Sequence, residues 1–185
     1  MKSMVEQVLS DVESCLCRVS VESLGQASKL IEAASRVFVS GAGRSGLCMR
    51  ALGMRLMHLG KTVYVVGETT TPSIAATNLL ILGSGSGRTP LLLTMAQEAR
   101  SHDAKILLFT TDDNSPMAKL ADHVVVIPAP SFRVTQRGQG PLSTQPLGTL
   151  FEQSLFLLCD SLILDLMQQT GVGVTQMLER HANLE

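Results

Sequence analysis

The sequence predicts an α/β fold, a parallel sheet covered by helices on both faces, and three observations carry that prediction. Short apolar runs alternate with stretches of helical periodicity, the pattern of strands buried on both sides. Two of those runs end in glycine- and serine-rich loops. Val37-Phe38-Val39-Ser40 leads into Gly41-Ala42-Gly43-Arg44-Ser45-Gly46, and Leu79-Leu80-Ile81-Leu82 leads into Gly83-Ser84-Gly85-Ser86-Gly87-Arg88-Thr89. The chain, at 185 residues, is long enough for one domain with a sizeable core.

Taken in order, Val5, Val8, Leu9, Val12, Leu16 and Val19, then Leu24, Ala27, Leu30 and Ile31, recur at helical spacing and give one or two helices before the first strand. Strand 36–40, helix 44–59, strand 62–66 and strand 78–83 follow. Helix 88–102, strand 105–110 and strand 123–127 come next, then helices at about 147–170 and 172–181. Between the last two strands, Ser115-Pro116 supplies an N-cap and a first-turn proline, which predicts a short helix near 116–121. The 129–146 stretch, rich in proline, glycine and polar residues, is long for a connection inside a compact domain. It reads as a lid, a crossing to a neighbouring subunit, or disorder. The organisation is thus N-terminal helices over 1–34, sheet and loops over 35–128, a crossing loop over 129–146 and C-terminal helices over 147–185, in one domain.

Composition excludes several classes of function. Apolar residues make up 45% of the chain and aromatics 3%, with no Trp, so the core is aliphatic. The formal charge is −1 and neither end carries a basic block, which removes the electrostatic footprint of a nucleic-acid or anionic-membrane partner. Cys15, Cys17, Cys48 and Cys159 lack C-x-x-C spacing and read as reduced thiols, and no Cys and His cluster suggests a metal. The N-terminus lacks the pattern of a signal peptide and no apolar stretch reaches membrane-spanning length. The cytoplasm is the expected compartment.

The loops point to a bound phosphate. A strand that ends in Gly and Ser and turns into a helix aims unpaired backbone N–H groups and hydroxyls at one spot, where the helix dipole adds positive potential. Ser84, Ser86 and Thr89 are the hydroxyls of the second loop, and Gly85 and Gly87 let its backbone turn. A rival reading starts from the first loop. Gly41, Gly43 and Gly46 match G-x-G-x-x-G, and Glu68 follows at the end of the next strand, as in dinucleotide-binding proteins. Against it, the second loop is the better-equipped single-phosphate site, and the chain is short for a dehydrogenase with a separate substrate domain.

Several segments together resemble the 6-phospho-3-hexuloisomerases of the sugar isomerase (SIS) domain group. They are Gly41-Ala42-Gly43-Arg44-Ser45-Gly46, Arg55-Leu56-Met57-His58-Leu59-Gly60, Val66-Gly67-Glu68-Thr69-Thr70-Thr71-Pro72, the Ser-Gly-Ser-Gly loop, and Pro146-Leu147-Gly148-Thr149-Leu150-Phe151-Glu152. The resemblance implies a five-stranded parallel sheet in a three-layer α/β/α sandwich and a homotetramer with sites near subunit boundaries. It also implies reversible conversion of D-arabino-hex-3-ulose 6-phosphate to D-fructose 6-phosphate, a step of formaldehyde fixation in the ribulose monophosphate pathway. Two positions depart from the pattern: Arg88 stands where such enzymes usually carry an acidic residue, and Asn78 where they carry an aspartate.

Moving a ketone from C3 to C2 takes the proton from C2, passes through a cis-enediol and returns a proton to C3. One carboxylate and one proton shuttle suffice, with neither metal nor redox cofactor required. The resemblance makes Glu152 the base, although Thr149-x-x-Glu152 by itself fits a capping box. His58 is the candidate proton relay, or else a C-terminal helix residue favoured by the dipole; His181 is a weaker one. Arg44 and Ser45 would hold substrate hydroxyls or phosphate. The 84–89 loop, Arg88 included, would hold the phosphate, with Glu68 flanking the cleft. A noncatalytic sugar-phosphate sensor and a dinucleotide-binding protein are the alternative functions.

Overall fold

A computed structural model describes residues 3–130 and 143–184; most of the expected crossing loop, 131–142, lies outside the described residues. Two capped helices open the chain. In α1 (Met4–Leu16) the Ser3 hydroxyl accepts the Glu6 N–H while the Glu6 carboxylate accepts the Ser3 N–H, and in α2 (Val21–Ala33) the Ser20 hydroxyl accepts the Ser23 N–H. There follow β1 (Val37–Gly41), α3 (Gly43–His58), β2 (Val63–Val65), β3 (Leu79–Gly83), α4 (Pro90–Ser101), β4 (Lys105–Thr110) and β5 (His123–Val126). The described chain closes with α5 (Thr149–Thr170) and α6 (Val174–Glu179). All five strands are parallel, in the order β2-β1-β3-β4-β5.

Side-chain alternation along the strands makes two cores. Val37, Val39, Leu79, Ile81, Leu107 and Phe109 face α1, α2, α3 and α5, whereas Phe38, Leu80, Leu82, Ile106 and Leu108 face α4 and the 117–118 turn. Helices thus cover both faces, the three layers expected. The sheet's order also opens a crevice at one end. From β1 the chain continues into α3 on one face, and from β3 into α4 on the other, so the carboxyl ends of these neighbours, with Gly41 opposite Gly83, bound an open crevice. Both glycine-rich loops begin there.

The short helix expected near 116–121 is a series of turns. Ser115 does cap it, its hydroxyl accepting the Ala118 N–H at 3.2 Å, but the Met117 N–H is spent on the Gly87 carbonyl and Leu120 and Ala121 bond three residues back. The Asp122 N–H must already meet the Ile106 carbonyl as β5 begins, so there is no length for a regular helix. The last helix, expected over 172–181, is α6 alone. Among the described residues no helix is long and apolar enough to cross a membrane.

Asp122 ties the amino end of the sheet together, accepting from Lys105 at 2.8 Å, Arg100 at 3.0 Å and the Ile106 N–H at 2.9 Å. Burial alone would raise its pKa, but the bonds from Lys105 and Ile106 and the charges of Lys105 and Arg100 outweigh it and hold the carboxyl below the usual range. A carboxyl depressed in the folded state stabilises fully above its unfolded pKa, and that contribution is lost as the pH falls through the folded value. Asp122→Ala is therefore expected to cost about 1–3 kcal/mol at neutral pH. In urea unfolding the gap to the parent should narrow as pH drops below about 4, and an equal gap at pH 7 and pH 3 would refute the ionic account.

Candidate active site

The crevice between β1 and β3 holds a cavity of about 160 Å³ lined by Ser45 of α3, Ser84, Gly85, Ser86 and Thr89 of the second loop, and Glu152 of α5. The loop is shaped by what its carbonyls do. Gly85 O accepts from Thr110 Oγ1 at 3.1 Å, Thr111 Oγ1 at 2.8 Å and the Thr111 N–H at 2.9 Å. With that carbonyl bound to the end of β4, the hydroxyls of the loop stay with the cavity. Gly87, at φ +59°, bonds its N–H to Ser84 O, and a Cβ there would run into the Ser115 hydroxyl. The α4 N-terminus follows, with Pro90 in its first turn.

Glycines of the first loop serve packing. A Cβ on Gly41 would lie 2.9 Å from Gly46 N, and one on Gly46 would lie 2.5 Å from Gly41 O, so the pair lets α3 start against the end of β1. Ala42 and Ser45 reach the cavity. Glu68 does not: it sits on the turn after β2, half exposed, and pairs with Arg50 at 2.7 Å. A cavity this small, well under the roughly 300–1,000 Å³ of drug-sized ligand pockets, with Glu68 outside it, gives the dinucleotide reading no support.

Glu152 is not a cap. The α5 N-cap is Gly148 with no side-chain bond, the Thr149 hydroxyl goes to Pro146 O, and the Glu152 carboxylate accepts from Arg44 Nε at 2.5 Å. This pair also answers the misplaced charge of an arginine in the first turn of α3. Beside it Cys48 donates to Glu152 O; burial, with Glu152 next, raises its pKa against the lowering by Arg44, which leaves a packed thiol.

Within one chain, His58 is not brought to this cavity. It ends α3, and about 20 Å of helix separates it from Arg44. Its ring is 2% exposed and stacks on His181 at 5.3 Å, in a second pocket with Arg55 and Asp160. Burial, then Arg55 and His181, hold its pKa below the ordinary value. Arg88 lies outside the cavity lining and pairs with Asp112 at 2.7 Å. Asn78 precedes β3, at the opposite end of the strand from Ser84, and its Oδ1 accepts the Ala75 N–H, so that departure is remote from the site. Phe151, Gly148 and Thr111 line the cavity and were not among the expected site residues. Thr111 directly follows the carboxyl end of β4, the one signal that could have marked it.

A five-stranded parallel α/β/α sandwich with a hydroxyl-rich loop and a carboxylate where β1 and β3 diverge has the architecture of sugar isomerase domains. The chain belongs to the SIS domain family, whose model matches residues 29–157. It is 44% identical to a Mycobacterium gastri 3-hexulose-6-phosphate isomerase over 96% of this chain and 88% of that one. It is 37% identical to the Bacillus subtilis protein of the same name, over 98% and 97%. Among solved structures, a Methanococcus jannaschii protein for which a 3-hexulose-6-phosphate isomerase function was inferred superposes with a TM-score of 0.84. That match has 31% identity and covers 98% of both chains.

Two glycine substitutions should move stability in opposite directions. Gly87→Ala, at positive φ and against Ser115, is expected to destabilise by about 1–3 kcal/mol. Gly25→Ala, inside α2 with open space around it, is expected to stabilise by about 0.5–1 kcal/mol. Urea midpoints measured at one pH check both signs.

Proposed function

We propose that this chain is a phosphosugar isomerase that interconverts D-arabino-hex-3-ulose 6-phosphate and D-fructose 6-phosphate. The observation that carries the reading is that one small cavity at the switch point holds both the 84–89 loop and the Glu152 carboxylate. Full-length similarity to proteins named 3-hexulose-6-phosphate isomerase supports the choice of sugar. The loop takes the phosphate through Ser84, Ser86, Thr89 and backbone amides. Glu152 takes the C2 proton of the 3-ketose and returns one to C3 of the cis-enediol, while Arg44 fixes the carboxylate's orientation. A 3-ketose with O6 phosphorylated has no free hydroxyl placed to close a furanose ring, so it enters as an open chain.

Assembly as a homo-oligomer, a tetramer by resemblance, belongs to the same proposal. An apolar groove between α1, α3 and α5, lined by Leu9, Leu47, Phe156 and Leu157, adjoins Arg44 and Glu152, and Met54, Met57 and Leu164 are also exposed. His58 takes part in proton transfer only if a second copy presents it. The setting proposed is the cytoplasm, in the ribulose monophosphate route of formaldehyde fixation.

A coupled assay that detects fructose 6-phosphate formed from the 3-ketose tests the reading directly. Glu152→Gln should stay folded, still bind fructose 6-phosphate and lose roughly 100- to 10,000-fold in kcat, with exchange of the substrate C2 proton into deuterated solvent abolished. A variant with near-normal kcat removes Glu152 from the mechanism. Ser86→Ala touches a phosphate that does not react, so its loss of about 1.5–3 kcal/mol should appear in KM. Unchanged KM with lowered kcat would show that the loop is no passive anchor.

A further inference from the structure

A phosphate monoester in this cavity brings close to two negative charges, yet among the described residues no lysine or arginine lines it; the charged residue in the lining is Glu152. A cation nevertheless stands on the same loop as those hydroxyls. Arg88 belongs to the loop, its N–H donating to Ser86 Oγ at 3.3 Å, while its guanidinium is turned aside to Asp112 through Nη2 at 2.7 Å. The two partners are not equally fixed. Asp112 is 13% exposed, its Oδ1 accepts the Asn114 N–H at 3.0 Å and its own N–H donates to Thr110 Oγ1, on the segment that clamps Gly85 O. The Arg88 side chain is 46% exposed and, among the described residues, ends at this single bond. An ion pair open to solvent on its arginine side is screened and contributes little. A guanidinium on a phosphate makes charge-assisted, forked bonds. The exchange therefore runs toward the ligand, and Asp112 keeps its Asn114 N–H when Arg88 leaves.

We propose that Asp112 is a positioning residue that parks Arg88 beside the phosphate site and yields it to an entering phosphate ester, so that competition between Asp112 and the ligand for Arg88 sets affinity. The inference rests on the 84–89 loop being the phosphate site. It differs from a simple fastening of the loop by the Arg88–Asp112 pair in the sign of one effect. If the pair only fastens, losing either partner weakens binding; if Asp112 competes, losing it strengthens binding.

Calorimetric titration of fructose 6-phosphate into the parent, Arg88→Met, Asp112→Asn and the double variant reads that sign. Arg88→Met should weaken binding by about ten- to a hundredfold. Asp112→Asn, which keeps an acceptor for Asn114, should tighten it by about two- to fivefold. The double variant should match Arg88→Met, because Asp112 acts only through Arg88. Asp112→Ser, also uncharged, serves if the asparagine variant fails to fold. Weaker or unchanged binding in the Asp112 variants, or no loss in Arg88→Met, overturns the proposal. If Ser86→Ala still weakens binding in that case, the loop remains the phosphate site and only the exchange is wrong; a folded parent that takes up no fructose 6-phosphate ends both.

Discussion

Strands β1 and β3 lie side by side and parallel, Gly41 opposite Gly83, and the chain leaves them toward opposite faces of the sheet. That divergence opens a place where backbone N–H groups and hydroxyls from two loops can face the same small volume without being consumed by sheet or helix hydrogen bonds. The glycines at the strand ends follow from it. Gly41 and Gly46 nearly touch because α3 must start beside the strand it has just left, and Gly87 turns the second loop under Ser115. Ser45, Ser84, Ser86 and Thr89 acquire a common target because of this geometry.

Charge around the crevice is arranged in pairs. Glu152 meets Arg44 across the α3–α5 contact, and Arg88 meets Asp112 across the ends of β3 and β4. Each pair joins a residue of one loop or first helical turn to a residue far along the chain, so the site is assembled from two βα units, the segment after β4, and α5. The polar work at the other end of the sheet is different: Asp122, with Lys105 and Arg100, fastens strand starts and takes no part in the cavity.

The sequence by itself determined the strand and helix order, because apolar runs and helical spacing survive without tertiary context. It also marked the 84–89 loop, because no ordinary turn needs so many hydroxyls and glycines together. Tertiary structure alone decided which side chains share a site. Thr149-x-x-Glu152 is compatible with a cap, and only the neighbouring α3 supplies the arginine that takes the carboxylate instead. His58 and Arg44 belong to one helix, and their separation along its axis, invisible as a motif, sends the histidine to another pocket. The 116–121 turn fails as a helix because Met117 bonds to Gly87, a partner thirty residues away. Local pattern fixes local conformation, whereas a site is a set of long-range contacts, and those are chosen by how the layers pack.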